Sequence, residues 1–170
     1  MNETLKTILS RRSCREFLEK EIPMEVLNDI LLAGSKAPSA KNLQSASILC
    51  IKNPSILEDL RRKLIDFMGK DPFYGAKIAV IVYANKESRF AFQDGSCVLE
   101  NMFIAATSYG LGSCWINCLH DYFATEEGNH FKKDILGLTD KDVTIGTCIL
   151  GYPANIPNEK IKKDDYIKIL

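Results

Sequence analysis

The sequence of 170 residues predicts one α/β or α+β sandwich in which helices pack around a small central sheet. Helical and strand-like patterns alternate along the chain, as such a sandwich requires. Among several short apolar runs, residues 78–83 are β-branched and typical of a strand buried on both faces. Residues 97–106 are apolar nearly all round, which predicts a helix buried on every side. No repeat or linker divides the chain, so we predict a single domain over residues 1–170.

Helix and turn signals organise the first half of the chain. Asn2 can cap a first helix, Pro23 is typical of the first turn of a second, and Ser55 can cap a third. Small and turn-forming residues mark the loops between them. The predicted elements are, in order, a helix over 3–10, a helix over 23–35, a loop over 34–44, a strand over 47–51, a helix over 55–68 and a loop over 69–75.

The second half contains the longest helical signal of the chain, which ends at Gly110 and Gly112. The weakest helical signal follows it and contains Gly128. The predicted elements are a strand over 78–83, a helix over 88–109, a strand over 113–118, a helix over 121–136 and a strand over 143–150. The tail after residue 155 alternates lysines with apolar residues such as Ile167 and Leu170, so we expect it to pack on another surface, such as a second subunit.

Charge and hydropathy exclude several classes of function. The 22 Lys and Arg residues balance the 22 Asp and Glu residues, so no overall field draws the protein to nucleic acid or to an anionic membrane. The N-terminus has no signal-peptide core, and no apolar run approaches the length of a membrane span. We therefore expect a cytoplasmic protein without nucleic-acid or membrane partners.

The cysteines and histidines form no recognisable catalytic or metal-binding motif. Six cysteines are scattered without a C-x-x-C pair, and we expect no metal. His120 and His130 stand in the least patterned region, and neither H-E-x-x-H nor G-x-S-x-G occurs. Gly110-Leu111-Gly112 follows a helix, whereas a Rossmann nicotinamide domain needs its glycines after a strand. Chemistry carried by a bound cofactor is therefore favoured.

The strongest concentration of charge lies at residues 11–17, which read Arg-Arg-Ser-Cys-Arg-Glu-Phe. Arginine suits phosphate and planar electron-rich oxygens, because its donors form a fixed fork that stays charged at any pH. A solvated basic turn is the alternative interpretation. Three further segments favour a ligand: 37–44 (Ala-Pro-Ser-Ala-Lys-Asn-Leu-Gln), 110–116 (Gly-Leu-Gly-Ser-Cys-Trp-Ile) and 151–153 (Gly-Tyr-Pro), with a lysine cluster behind the last.

In this order, the four segments resemble the motifs of the nitroreductase family of flavoproteins, and the resemblance spans residues 8 to about 165. It implies an α+β fold in which helices flank a central, mostly antiparallel sheet and a long central helix is buried. It also implies an obligate homodimer with one FMN in each of two interfacial clefts. Enzymes of this family pass electrons from NADH or NADPH through FMN to small acceptors such as nitroaromatics or quinones.

The resemblance further implies that the flavin carries the chemistry and that no side chain is catalytic. The implied FMN-binding residues are Arg11, Arg12, Ser13, Arg15, Pro38, Ser39, Ala40, Asn42, Gln44, Trp115, Ile116, Asn117, Cys118, Lys160 and Lys162. Arg11 and Ser13 match positions at the phosphate and ribityl end, Arg12 matches a position beside them, and the two lysines match a basic pair at the phosphate. Arg15 matches a cation near the pyrimidine edge of the flavin. Residues 38–44 match a loop along the ring and the ribityl chain, and residues 115–118 match a strand whose amides face flavin N5.

Three departures from the family pattern affect the expected pocket. Ser45-Ala46 stands where Pro-Trp is common, which makes the wall beneath the flavin less bulky. Lys162 stands where arginine is common and lacks the bidentate fork. Only residues 86–94 separate the middle strand from the central helix, so we expect an open acceptor pocket.

Several alternatives stay open on the sequence alone. A flavin-binding redox sensor or flavin-handling protein would hold FMN tightly with little NAD(P)H oxidoreductase activity. A thiol-based redox protein would use Cys114 and Cys118, would lose activity on alkylation and would not be yellow. Relatives with the same fold also carry out dehalogenation or flavin degradation.

Overall fold

The computed structural model describes residues 1–159 and 161–170. Its helices and strands are, in chain order, α1 (Glu3–Ser10), α2 (Met24–Ser35), β1 (Ala46–Ile51), α3 (Pro54–Met68), β2 (Ile78–Asn85), α4 (Ala91–Ser108), β3 (Gly112–Ile116), α5 (Cys118–Tyr122), α6 (Glu126–His130) and β4 (Asp142–Gly151). A 3₁₀ turn covers Ala40–Asn42, and a π-helical turn covers Phe131–Ile135.

The described strands form one antiparallel sheet in the order β1-β2-β4-β3. β2 and β4 occupy the centre, where Val80 pairs with Cys148, and both residues are fully buried. β1 and β3 are the two edges, and Trp115 of β3 lies opposite Cys148. The apolar runs of the two central strands thus match a sheet that is covered on both faces.

Helices cover each face of this sheet. On one face, α2 and α4 pack over Val80, and Leu99 of α4 is fully buried there. On the other face, Leu60 of α3 and Leu119 of α5 pack around Ile81 in a second apolar cluster. The predicted α+β sandwich with a central antiparallel sheet flanked by helices is therefore confirmed.

The central helix α4 is buried on the side that faces the sheet, but a single chain does not bury it on every side. Leu99 is fully buried, whereas Cys97 and Glu100 are exposed. The outer side of α4 faces solvent and the short helix α1, whose following residue Arg11 approaches Glu100. The expectation that residues 97–106 are covered all round therefore does not hold within one chain.

Several predicted boundaries are corrected. Asn53, not Ser55, caps α3, because its Oδ1 accepts the backbone N–H groups of Ser55 and Ile56. Pro54 then occupies the first helical turn, where a missing N–H costs nothing. The strand predicted over 113–118 ends at Ile116, and Cys118 begins α5.

The single helix predicted over 121–136 is wrong. The chain leaves α5 after Tyr122, and Thr125 starts α6 by accepting the Gly128 N–H on its Oγ1 at 3.0 Å. A Cβ at Gly128 would lie 1.9 Å from the Tyr122 carbonyl oxygen, so this reversal requires glycine. The break depends on a close backbone approach, which helical periodicity does not reveal.

Candidate functional site

The arginine-rich segment lies in an extended conformation along the outer edge of β3. The Cys14 N–H donates to the Ser113 carbonyl at 2.8 Å, and the Leu18 N–H donates to the Tyr152 carbonyl at 2.9 Å. The Ala154 N–H returns a bond to the Glu16 carbonyl at 3.0 Å. Residues 110–116 and 151–153, which the sequence singled out, thus hold the arginine segment in place.

Two glycines allow the segment to approach the sheet closely. A Cβ at Gly112 would lie 2.7 Å from the Cβ of Cys14, and a Cβ at Gly151 would lie 2.6 Å from Cδ1 of Phe17. Cys14 is buried, whereas Arg15 is exposed. Because neighbouring side chains of an extended segment point to opposite sides, the inward position of Cys14 directs Arg15 outward.

The guanidinium groups of this segment are only partly neutralised. Arg11 Nε lies 4.0 Å from a carboxylate oxygen of Glu100, and Arg12 Nη2 lies 3.5 Å from one of Glu159. Arg15 has no carboxylate within ion-pair distance among residues 1–159 and 161–170. Three cations therefore have two carboxylate partners, and the one surplus positive charge suits an anionic group.

Arg12 has a structural role that the sequence did not reveal. Its Nη1 donates to the carbonyl of Leu9 at 2.6 Å and to that of Arg11 at 2.8 Å. These bonds satisfy carbonyl groups at the C-terminus of α1, where a cation is also favourable to the helix dipole. Arg12 thus fixes the end of α1 from which Arg11 projects.

Beside the arginine segment, burial holds the pKa values of two cysteine thiols, Cys114 and Cys118, above their ordinary value. Burial raises the pKa of Cys114, although nearby Arg15 and a hydrogen bond with Ser13 oppose the rise. Burial also raises the pKa of Cys118 to about 11. Since the thiolate is the reactive form, the upward direction of both pKa shifts argues against the thiol-based redox alternative.

Trp115 is the exposed aromatic residue of this region. It is 38% exposed, and its ring packs on Phe103 with centroids 6.3 Å apart. A Cβ at Gly146 would lie 2.6 Å from Cε2 of the indole, so the ring fits there because residue 146 has no side chain. The backbone of Trp115 shares its direction with that of Ser113, whose carbonyl points to the outer edge.

The three residues after Trp115 take different environments. Ile116 is buried in the second apolar cluster, and Asn117 is exposed at the junction with α5, with its Oδ1 3.5 Å from Trp115 Nε1. Cys118 is half-buried. Trp115 and Asn117 are therefore the exposed members of this group.

The loop over 37–44 borders a separate cavity of about 870 Å³. Pro38, Ser39, Asn42 and Gln44 line it, together with Tyr83 of β2 and other residues of β1 and α4. Ala40 does not line the cavity, and its N–H instead donates to Asp94 at 2.9 Å. The loop therefore presents several polar side chains to one open space.

This loop holds three non-glycine residues in the left-handed region. Lys41, Asn42 and Gln44 have φ values of 54°, 55° and 49°. Such conformations cost about 1 kcal/mol or more each and persist where surrounding contacts impose them. The Ser39 Oγ accepts the Gln44 N–H at 3.0 Å, and the Gln44 side-chain amide donates to Asn42 Oδ1 at 3.0 Å.

The residues predicted for one site form two groups in the single chain. Residues 11–15 and 113–117 lie together, whereas none of these described residues lines the cavity of the 37–44 loop. Asp94 and Glu100 contact the two groups and stand six residues apart on α4, about 9 Å along its axis. Lys160 lies outside the described residues, and Lys162 sits in the exposed tail, 4.9 Å from the ring centroid of Tyr166.

Metal-binding clusters and membrane-spanning helices are both absent from the part of the chain that the structure describes. There, no three His, Cys, Asp or Glu residues lie close enough together to hold a metal ion. No helix within residues 1–159 and 161–170 combines the length and the apolar character of a membrane span.

Comparison with known proteins identifies the family. The model of the nitroreductase family matches residues 8–72 and 65–152. The chain belongs to the nitroreductase family. The resemblance that the four segments carried is thus confirmed, and the matched residues include the arginine segment, the 37–44 loop and the glycines around β3.

Individual members of the nitroreductase family match over most of their length. A protein of Archaeoglobus fulgidus, provisionally named an NADH dehydrogenase/NAD(P)H nitroreductase, is 30% identical over 91% of this chain and 88% of its own. The NADPH-flavin oxidoreductase of Vibrio harveyi is 27% identical over 94% of this chain and 70% of its own. A nitroreductase of Bacteroides fragilis, solved with bound FMN, is 32% identical and matches 100% of both chains with a TM-score of 0.92.

Proposed function

We propose that this nitroreductase family member is an FMN-dependent oxidoreductase that passes electrons from NADH or NADPH to small acceptors such as nitroaromatics or quinones. The observation that carries the proposal is the arginine segment. It is hydrogen-bonded to the edge of β3, and its three guanidinium groups have only two carboxylate partners among the described residues. The Bacteroides fragilis nitroreductase, which holds FMN, supports the identity of the cofactor. The Vibrio harveyi flavin oxidoreductase supports the use of a nicotinamide donor.

The chemistry of the donor set fits FMN. A phosphate dianion calls for converging cations and hydroxyl donors, which Arg11 and Ser13 provide. Arg11 contacts Glu100 only at 4.0 Å, so its fork is available to a ligand. Glu159 at 3.5 Å from Arg12 brings the start of the tail to this segment, and Lys162 follows three residues later. We assign Lys160 and Lys162 to the same phosphate.

The ring end of the site is assigned to Arg15, Trp115 and Asn117. Bound FMN supplies reversible two-electron redox chemistry, and the protein binds and orients it. Arg15 is exposed next to buried Cys14, has no carboxylate partner among the described residues and would stabilise negative charge on the flavin. The outward backbone of Trp115 provides an amide on the outer edge of β3, two residues beyond the bridge between Ser13 and Ser113.

A homodimer is part of the proposal. The 37–44 loop borders a different part of a single chain from the arginine segment, so a second copy would be needed to bring the two groups against one flavin. Apolar residues that one chain leaves exposed supply a surface for such a copy. They lie on α1 (Leu5, Ile8 and Leu9) and in the tail (Ile167, Ile169 and Leu170).

A cytoplasmic location is also proposed, because all six cysteines are free thiols. Purified protein should be yellow and should release FMN, not FAD, on denaturation. Mixing with NADH or NADPH without oxygen should bleach the flavin, and a nitroaromatic or quinone should restore its colour. A colourless protein that cannot be reconstituted with FMN would contradict the cofactor. If FMN is bound tightly but neither NADH nor NADPH bleaches it, a flavin-handling role is favoured instead.

A further inference from the structure

Asp94 joins the two ends of the strained loop. Its side chain is buried in the first turn of α4, and both carboxylate oxygens are used. Oδ1 accepts the Ala40 N–H at 2.9 Å, and Oδ2 accepts the Ser45 hydroxyl at 2.7 Å. Ala40 precedes the three left-handed residues and Ser45 follows them. The two hydrogen bonds of the carboxylate, which we call the Asp94 clasp, therefore join the two ends of the loop.

The carboxylate itself is held rigidly. Its neighbour Gly95 lies so close to β4 that a Cβ there would be 2.7 Å from Cγ1 of Ile145. The start of α4 therefore cannot move away from the sheet without losing this packing. A carboxylate in the first turn is also favourable to the helix dipole. Asp94 thus connects the loop to a closely packed part of the core, where α4 meets β4.

The loop has little other support of its own. The side chains of residues 41–44 are exposed, so burial does not fix their backbone. The bonds from Ser39 to Gln44 and from Gln44 to Asn42 lie within the loop and move with it. Left-handed conformations of non-glycine residues relax where no outside contact imposes them. The contacts of Asp94 are the ones that tie this conformation to the core.

We propose that Asp94, acting through Ala40 and Ser45, is a positioning residue for the flavin site. It holds the loop so that Pro38, Ser39, Asn42 and Gln44 meet the flavin in a preformed arrangement. The inference rests on the proposed FMN-dependent function. It concerns the ring end of the site and leaves the phosphate end, at the arginine segment, unchanged.

The test compares wild type with Asp94→Ala, Asp94→Asn, Ser45→Ala and the control Gln93→Ala, an exposed position on the same helical turn. Hydrogen exchange of the flavin-free proteins reports on the loop, and titration with FMN and riboflavin reports on binding. Asp94→Ala should speed exchange of the amides at 40–44, leave α4 and β1 unchanged, and raise the FMN dissociation constant about tenfold or more. The ratio of riboflavin to FMN affinity should stay at its wild-type value, because the phosphate contacts are untouched.

The other variants separate positioning from general stability. An asparagine at position 94 can still accept a hydrogen bond from the Ala40 N–H and donate one to the Ser45 oxygen. The FMN dissociation constant of Asp94→Asn should therefore stay within about threefold of the wild-type value. In loop exchange rate and in FMN dissociation constant, Ser45→Ala should fall between wild type and Asp94→Ala. Gln93→Ala should match wild type in both measurements. If Asp94→Ala does not fold, Ser45→Ala decides the question, since it removes one arm of the clasp only.

Two results would overturn the inference. If Asp94→Ala or Ser45→Ala shows wild-type exchange and wild-type FMN affinity, the loop keeps its conformation without the Asp94 hydrogen bonds. Faster exchange spread through α4 and β1 would mean that Asp94 supports the fold in general. A wild-type protein that binds no flavin would refute the proposed function, whereas the exchange pattern of the flavin-free proteins would still test the clasp.

Discussion

Replacing Gly112 with alanine should displace the arginine segment from the sheet. The added Cβ would meet the Cβ of Cys14 at 2.7 Å, its Sγ at 2.8 Å and Cε1 of Phe17 at 3.3 Å. Because Cβ of Cys14 is fixed to the backbone, the segment itself must shift. Overpacking of this kind costs about 1–3 kcal/mol, which for a chain of this size lowers Tm by about 2–12 °C.

The same shift should weaken flavin binding. Moving the segment loosens at least one charge-assisted hydrogen bond, and such a bond contributes about 1.5–3 kcal/mol. We therefore expect the FMN dissociation constant of Gly112→Ala to rise about tenfold or more. The assays are thermal unfolding of the flavin-free protein and titration of FMN by quenching of its fluorescence.

Gly110→Ala provides the matched control. Gly110 has a φ of 70° and nothing within 4 Å of its Cβ position, so alanine there adds backbone strain of about 1–2 kcal/mol without touching Cys14. It should lower Tm by a similar amount and keep the FMN affinity of wild type. If Gly112→Ala also keeps that affinity, close approach of the segment to β3 does not position the flavin ligands, and the reasoning is refuted.

Three further predictions test other parts of the proposal. Arg15→Gln should lower the midpoint potential of bound FMN by about 20–65 mV in spectroelectrochemical titration, because about 1–3 kcal/mol of stabilisation of reduced FMN is lost; loss of FMN at an unchanged potential would place Arg15 at the phosphate instead. The pKa of about 11 leaves about one Cys118 thiol in ten thousand ionised at pH 7, so alkylation should speed up about tenfold per pH unit below pH 11, and Cys118→Ser should keep turnover within about threefold. Fast alkylation at pH 7 with loss of turnover would revive the thiol mechanism. Truncation after Asp164 should weaken both the dimer in sedimentation and the retention of FMN, whereas Lys168→Ala should change neither; a stable, yellow, active monomer would contradict this prediction.

The sequence predicted the elements that local patterns define. The apolar runs of β2 and β4 and the presence of α4 followed from periodicity, although α4 begins at Ala91 and not at the predicted residue 88. The order of helices and strands followed from these elements. Asn53 and Ser55 are both good caps, and Pro54 between them decides which one begins α3. The assignment of residues to FMN stays a prediction, because the four segments indicate a ligand without fixing which atoms meet it.

Asp94 could not be found in this way. Its partner Ala40 stands 54 positions earlier in the chain, so no local spacing connects them. The sequence does contain one usable sign, an acidic residue in the first turn of a long helix whose sheet-facing side is apolar. The departure at Ser45 also has a consequence that the sequence did not suggest. Its hydroxyl donates to Asp94, a bond that a proline at this position could not make.

Because α1 is exposed in a single chain, its stability should depend on the concentration of the protein. This helix has eight residues, none of them buried, and a helix of that length is unstable alone in water. Its C-cap is Arg11, so fraying of α1 would release a proposed phosphate ligand together with the carbonyls that Arg12 holds. If a second copy covers Leu5, Ile8 and Leu9, association, helix formation and flavin binding share one equilibrium. The apparent affinity for FMN should then increase as the protein is concentrated and fall on dilution.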